Sequence, residues 1–204
     1  MSTSTKERIL ASALDSFGNR GFDGTSLDAL GAELEVSKQT ILYWFDSKEA
    51  LLEAVIDEAA RQITSTLEAA LLSAGQGFDR IEAVVRAAFR LGARQPAVLG
   101  MLREVNRLGP PATTQMAAAL QPLVDRATGF LAAEMDAGVL RRSDPNLLLL
   151  AIYSTVVGMV TEVELSRALG EEPTARSLVR RRADVLALLR SALLVEPLEA
   201  RPPL

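Results

Sequence analysis

The chain has 204 residues, 49% of them apolar and 24% charged, with a net charge of −4, a composition that suits one or two folded globular domains and not a disordered chain. Cysteine and histidine are both absent, which excludes disulfides, thiolate nucleophiles, histidine bases and every zinc site built on nitrogen or sulfur ligands. No cofactor is expected, and most familiar enzyme chemistry is gone before any motif is read. The opening Met1-Ser2-Thr3-Ser4 has no apolar run behind a basic start, and the longest charge-free apolar stretch, Leu147 to Val160, is 14 residues against the roughly 18 that a membrane span requires. A cytoplasmic protein without membrane contact is the expectation.

Apolar residues recur three and four apart along nearly the whole chain and alternating strand patterns are missing, so the expected fold class is all-α. Ser4-Thr5-Lys6-Glu7 has the form of a capping box and opens a first helix whose stripe is Ile9, Leu10, Ala13, Leu14 and Phe17, with Gly18 and Gly21 as its end. A short second helix starts at Thr25 or Ser26 and carries Leu27, Leu30 and Leu34, with Asp28 near its positive end. Ser37 is the cap of a third helix running to Phe45. Asp46-Ser47-Lys48-Glu49 then offers an acidic variant of the capping box for a long fourth helix through about Leu72. Beyond Gly75-Gln76-Gly77, helices are expected from about Asp79 to Gln95, Pro96 to Leu108, Thr113 to Asp136, Asp144 to Leu169 and Thr174 to Leu194, about nine in all. The tail from Pro197 to Leu204 is expected to fray.

Residues 26 to 45 thus read short helix, tight turn, short helix, the spacing of a helix-turn-helix. On the wheel of the third helix Ile41 and Phe45 point one way and Gln39 and Tyr43 the other, with Thr40 and Leu42 flanking the second face. An amide, a phenol, a hydroxyl and a methyl-bearing side chain projecting together can read base edges and phosphates. Trp44 lies nearer the core side and suits either packing or exposure. The first 50 residues carry five cations, Lys6, Arg8, Arg20, Lys38 and Lys48, against eight carboxylates, so any DNA contact comes from a few placed cations and not from a basic domain.

Residues 5 to 52 resemble the DNA-binding domain of the tetracycline-repressor (TetR) family. The resemblance is carried by Arg8-Ile9-Leu10-Ala11-Ser12-Ala13 through Phe17, Arg20-Gly21-Phe22, Thr25-Ser26-Leu27, Val36-Ser37-Lys38-Gln39-Thr40-Ile41, and then Tyr43, Phe45, Ser47, Lys48, Glu49, Leu51 and Leu52. It implies a three-helix helix-turn-helix domain over residues 1–47 and a helical effector-binding and dimerisation bundle over residues 48–204. It also implies that the third helix enters the major groove of operator DNA. Gln39 and Tyr43 then approach bases, with Leu42 able to meet a thymine methyl, while Ser37, Lys38 and Thr40 hold the register. Thr25 and Ser26 cap the second helix close to phosphates, Lys6 adds a cation, and Lys48 matches the family's phosphate-contacting lysine. Two positions depart from the family pattern, which more often has tyrosine at Leu42 and proline at Asp46.

For the second domain the resemblance implies a homodimer joined through the last two helices. The residues point the same way, since Ala151, Ser154 and Gly158 make a flat strip and Ala183 with Ala187 a matching one, although such strips also suit close packing within one chain. Two joined heads predict a near-palindromic operator and steep salt dependence. A small apolar or weakly polar effector would sit among Phe89, Met101, Val105, Met116, Leu120, Phe130 and Tyr153, each of which equally suits plain core packing. The run Arg180-Arg181-Arg182 reads as a solvated face balanced by Glu171 and Glu172 among others. The alternative function is a helical carrier of lipophilic ligands that does not bind DNA; an enzyme working on lone carboxylates such as Glu104 has no recognisable pair to support it.

Overall fold

The computed structural model describes residues 4–172 and 174–195; the tail expected to fray lies outside them. Ten helices follow one another: α1 (Thr5–Arg20), α2 (Leu27–Leu34), α3 (Lys38–Trp44), α4 (Lys48–Leu72), α5 (Phe78–Arg94), α6 (Pro96–Leu108), α7 (Ala112–Asp136), α8 (Pro145–Thr161), α9 (Val163–Ala168) and α10 (Ala175–Leu193). Among the described residues the only β pairing is an isolated bridge between Leu140 and Leu194. The helix expected from Asp144 to Leu169 is two helices, because the chain turns at Glu162 after its N–H closes the last bond of α8 on the Gly158 carbonyl.

Caps decide most helix starts. Ser4 accepts from the Glu7 N–H while the Glu7 carboxylate accepts from the Ser4 N–H, a complete capping box that also pulls the Glu7 carboxyl below its usual range. Ser26, Ser37 and Asp144 accept from the first free N–H groups of α2, α3 and α8. At α4 the cap differs from expectation: the Ser47 hydroxyl accepts from the Ala50 N–H, and Asp46 stands exposed beside it. Gly21, at φ 83°, ends α1 by turning into a region that a β-carbon disfavours. Gly18 does not end α1. It lies inside the helix and buried, for a reason given next.

The chain divides into two compact units, one holding the described residues up to Glu68 together with Arg90–Gln121, the other Ala69–Phe89 and the described residues from Pro122 onward. This division does not follow a boundary at residue 47, since α6 packs against α1 in the first unit. The two backbones touch there: a β-carbon on Gly18 would run into the Ala97 carbonyl, and one on Gly100 into the Gly18 carbonyl. Around this contact Ile9, Phe17, Leu30, Ile41, Leu51 and Met101 are fully buried, each contributing about 1.5–3 kcal/mol of apolar transfer. The second unit has its own core, in which Phe78, Val85, Phe89, Leu131, Leu140, Val156, Val185 and Leu189 are buried together.

Candidate nucleic-acid interface

In the first unit α1, α2 and α3 pack on one another. Glu35 ends α2 in the left-handed region (φ 57°, ψ 41°), the chain turns through Val36, and Ser37 starts α3. Buried Ile41 and Phe45 anchor α3 by one face. The opposite face is turned outward: Tyr43 is 78% exposed, Ser37, Lys38 and Gln39 are exposed, and Thr40 and Leu42 are half-buried at its edges. Trp44 also faces outward, 41% exposed, with its ring edge-on to Tyr43 at 5.2 Å. Two adjacent aromatic rings thus stand on an exposed helix surface, leaving apolar area unburied within the chain.

The cations of this head are mostly engaged within it. Lys38 Nζ lies 3.2 Å from the Asp28 carboxylate, Arg20 pairs with Glu33 at 2.8 Å, and Arg8 donates to the Leu34 carbonyl. Lys6 sits 5.7 Å above the Phe45 ring. Lys48 donates to the Phe22 carbonyl at 2.6 Å and lies over the Phe22 ring at 4.0 Å. The Ser37 and Thr40 hydroxyls are hydrogen-bonded to each other at 3.0 Å, and the Ser37 hydroxyl also accepts from the Thr40 N–H. Ser26 is exposed and caps α2, but Thr25 is not outward as expected: it is buried, and its hydroxyl donates to the Gly21 carbonyl, closing the turn from inside.

Residues far along the chain complete the head. Glu104 of α6 is buried, its Oε1 accepting from the Phe22 N–H at 2.6 Å, and Arg107 donates to Glu104 through Nε (2.9 Å) and Nη2 (2.7 Å) and to Asp23 at 2.9 Å. Arg107 holds the Glu104 carboxyl below the usual carboxylate range; burial opposes this and the Phe22 N–H reinforces it. Glu104 is thus not the lone carboxylate that its sequence surroundings suggest. The available signal was its place beside Met101, Leu102 and Val105 with an arginine three residues on, since a charge in an apolar stripe needs a partner.

The effector candidates are not gathered in one unit. Met101, Val105, Met116 and Leu120 belong to the first, while Phe89, Phe130 and Tyr153 belong to the second, where Phe89 is part of the closed core and Phe130 packs against it. None of the seven lines either of two cavities described, one of about 350 Å³ bounded by Leu14, Glu58, Gln62 and Pro96 and one of about 480 Å³ beside Met135 and Arg142. The dimer candidates lie on α8 and α10 of the second unit, two helices that pack on each other. Ala151, Ser154, Ala183 and Ala187 are exposed, and nothing lies within 4 Å of where a Gly158 β-carbon would be. Leu147 (62% exposed), Leu150 and Val179 are exposed on the same two helices. The arginine run is not a uniformly solvated face: Arg181 is buried, donating to Glu171 and the Met159 carbonyl, while Arg180 pairs with Glu171 from outside. Among the described residues no helix is long and apolar enough to cross a membrane, and no group of three acidic, histidine or cysteine side chains could hold a metal.

Residues 9–55 match the family model of bacterial regulatory proteins of the tetR family. The transcriptional regulator RutR of Escherichia coli strain K12 is 30% identical over 154 residues, covering 74% of this chain and 71% of RutR. The negative regulator of the biofilm operon icaADBC, IcaR of Staphylococcus aureus strain Newman, is 35% identical over 48 residues, 24% of this chain and 26% of its own. In fold, AibR, solved with isovaleryl coenzyme A and operator DNA, aligns with a TM-score of 0.77 at 18% identity over 91% of this chain and 97% of AibR. FadR of Bacillus subtilis, solved with stearoyl-CoA, aligns with a TM-score of 0.74 at 19% identity over 91% and 97%. An outward recognition face on a helix-turn-helix, a matching family model and a relative similar over most of its length agree: the chain belongs to the tetR family and is a DNA-binding transcriptional regulator. That assignment displaces the lipophilic carrier.

Proposed function

We propose that this chain is a ligand-responsive repressor that binds a near-palindromic operator as a homodimer in the cytoplasm and lets go when a small apolar or weakly polar effector binds. It acts by binding and without catalysis. The observation that carries the reading is the outward face of α3, where Gln39, Tyr43 and Trp44 project together from a helix anchored by Ile41 and Phe45. Gln39 reads a base edge, Tyr43 and Leu42 meet methyl groups and phosphates, and Ser37, Thr40, Lys38, Lys6, Ser26 and Lys48 hold the backbone. One head offers only a few placed cations among more numerous carboxylates, so two act together, and the small residues Ala151, Ser154, Gly158, Ala183 and Ala187 support a second copy there.

The acyl-CoA thioesters in AibR and FadR support a ligand-controlled reading of this fold. Control requires the effector to prefer the conformation that misplaces the heads, since equal affinity for both conformations shifts nothing. Binding selection from a random-sequence duplex pool, followed by footprinting, is expected to recover an inverted repeat with half-sites about one helical turn or more apart. Recovery of sequences without two-fold symmetry overturns the operator reading. Extract fractions that release the selected duplex identify the effector.

A further inference from the structure

The Phe22 peptide is gripped from both ends. Its N–H is held by Glu104 of α6 and its carbonyl by the ammonium of Lys48 at the start of α4, both at 2.6 Å, and its ring lies under the same ammonium. We propose that Glu104 is a positioning residue for DNA recognition: through Phe22 it holds Lys48 in the one place from which the ammonium meets an operator phosphate. The inference rests on the reading of Lys48 as a phosphate contact, and adds the device that places it.

A lysine on its four-carbon stem samples many rotamers, and ordering them on binding weakens affinity. Here one of the three ammonium donors is spent on the Phe22 carbonyl and the ring face fixes the head group, which leaves two donors to give to a phosphate. The carbonyl can act as that anchor only while its own turn is held. Gly21 leaves the turn in a backbone region with little intrinsic preference for one geometry. Thr25 closes the turn from inside, its hydroxyl donating to the Gly21 carbonyl and its N–H to the Phe22 carbonyl, and α6 holds it from the other side, by Glu104 on the Phe22 N–H and by Arg107 on Asp23. Because α6 touches α1 backbone to backbone at Gly18 and Gly100, the anchor has a rigid mount. Glu104 and Arg107 fall outside the matched residues 9–55, so a DNA contact of the head is set by a helix beyond it.

The test is a double-mutant cycle on the duplex selected by the wild-type chain, read by fluorescence anisotropy across a salt series, with thermal melts to establish that each variant folds. Glu104→Ala is expected to weaken binding about tenfold and to lower the salt slope by about one per head, the signature of one lost phosphate contact. Glu104→Gln, whose amide oxygen still accepts from the Phe22 N–H, recovers part of both. In a Lys48→Met background, Glu104→Ala costs less than about twofold. An equal loss in both backgrounds overturns the relay and leaves Lys48 as a contact. A Lys48→Met variant with unchanged affinity and salt slope removes the phosphate contact itself and the relay with it. Should Glu104→Ala fail to fold, the same cycle is run with Glu104→Gln, where any loss must again vanish in the Lys48→Met background.

Discussion

Tyr43 and Glu104 mark the two kinds of residue on which recognition depends, one exposed and one buried. Tyr43 touches little within its own chain apart from Trp44, so Tyr43→Ala is expected to leave the thermal midpoint nearly unchanged while weakening the selected duplex by about 1–3 kcal/mol. A fall in the midpoint without a fall in affinity would make Tyr43 a packing residue. Glu104 behaves oppositely. Its carboxyl is held down first by Arg107, with Asp23 sharing that guanidinium and Arg103 adding attraction, so the folded state prefers the charged form more than the unfolded chain does. The stability this confers is present above the ordinary carboxylate range and is lost as pH falls through the depressed folded value. Glu104→Gln therefore lowers stability at neutral pH and flattens the acid limb of the melting profile. Parallel acid limbs for the two proteins would show that Glu104 contributes nothing to the pH dependence.

Helices in this chain meet as closely as their smallest residues allow. Gly18 and Gly100 let α1 and α6 approach until backbone meets backbone, and a methyl on either has nowhere to go. Gly100→Ala is expected to destabilise the chain by about 1–3 kcal/mol through overpacking. Gly129 is its control: it lies within α7 with open space around the position of a β-carbon, so Gly129→Ala is expected to stabilise by about 0.5–1 kcal/mol through helix propensity. Urea unfolding of the pair measures both, and a neutral Gly100→Ala would mean that α6 is free to shift on α1. The start of α3 was legible because serine at a helix start has one evident use. The Gly18 contact was not, since a glycine near a helix end reads equally as a stop and as a close approach, and only the partner helix distinguishes them.

At the scale of the whole molecule, the proposed dimer answers the scarcity of free cations on one head. A head whose cations are mostly spent on its own carboxylates and carbonyls binds one half-site weakly, and two joined heads gain the effective concentration that one lacks. Ser154→Arg, placed in the exposed strip of α8, is expected to give a monomer by sedimentation and to weaken operator binding by at least about tenfold, with little change in helix content. A variant that stays dimeric would move the interface elsewhere.

The primary structure alone determined that the chain is helical, where nearly every helix begins, and that residues 37 to 45 turn one polar face outward, because periodicity, caps and local spacing are properties of neighbouring residues. Tertiary structure decided that Thr25 turns inward, that Arg181 is buried, that the effector candidates divide between two units, and that Glu104 and Arg107 hold the turn beside Lys48. Each of these depends on which group packing brings within reach to share a hydrogen bond or fill a space, and no local pattern encodes that meeting.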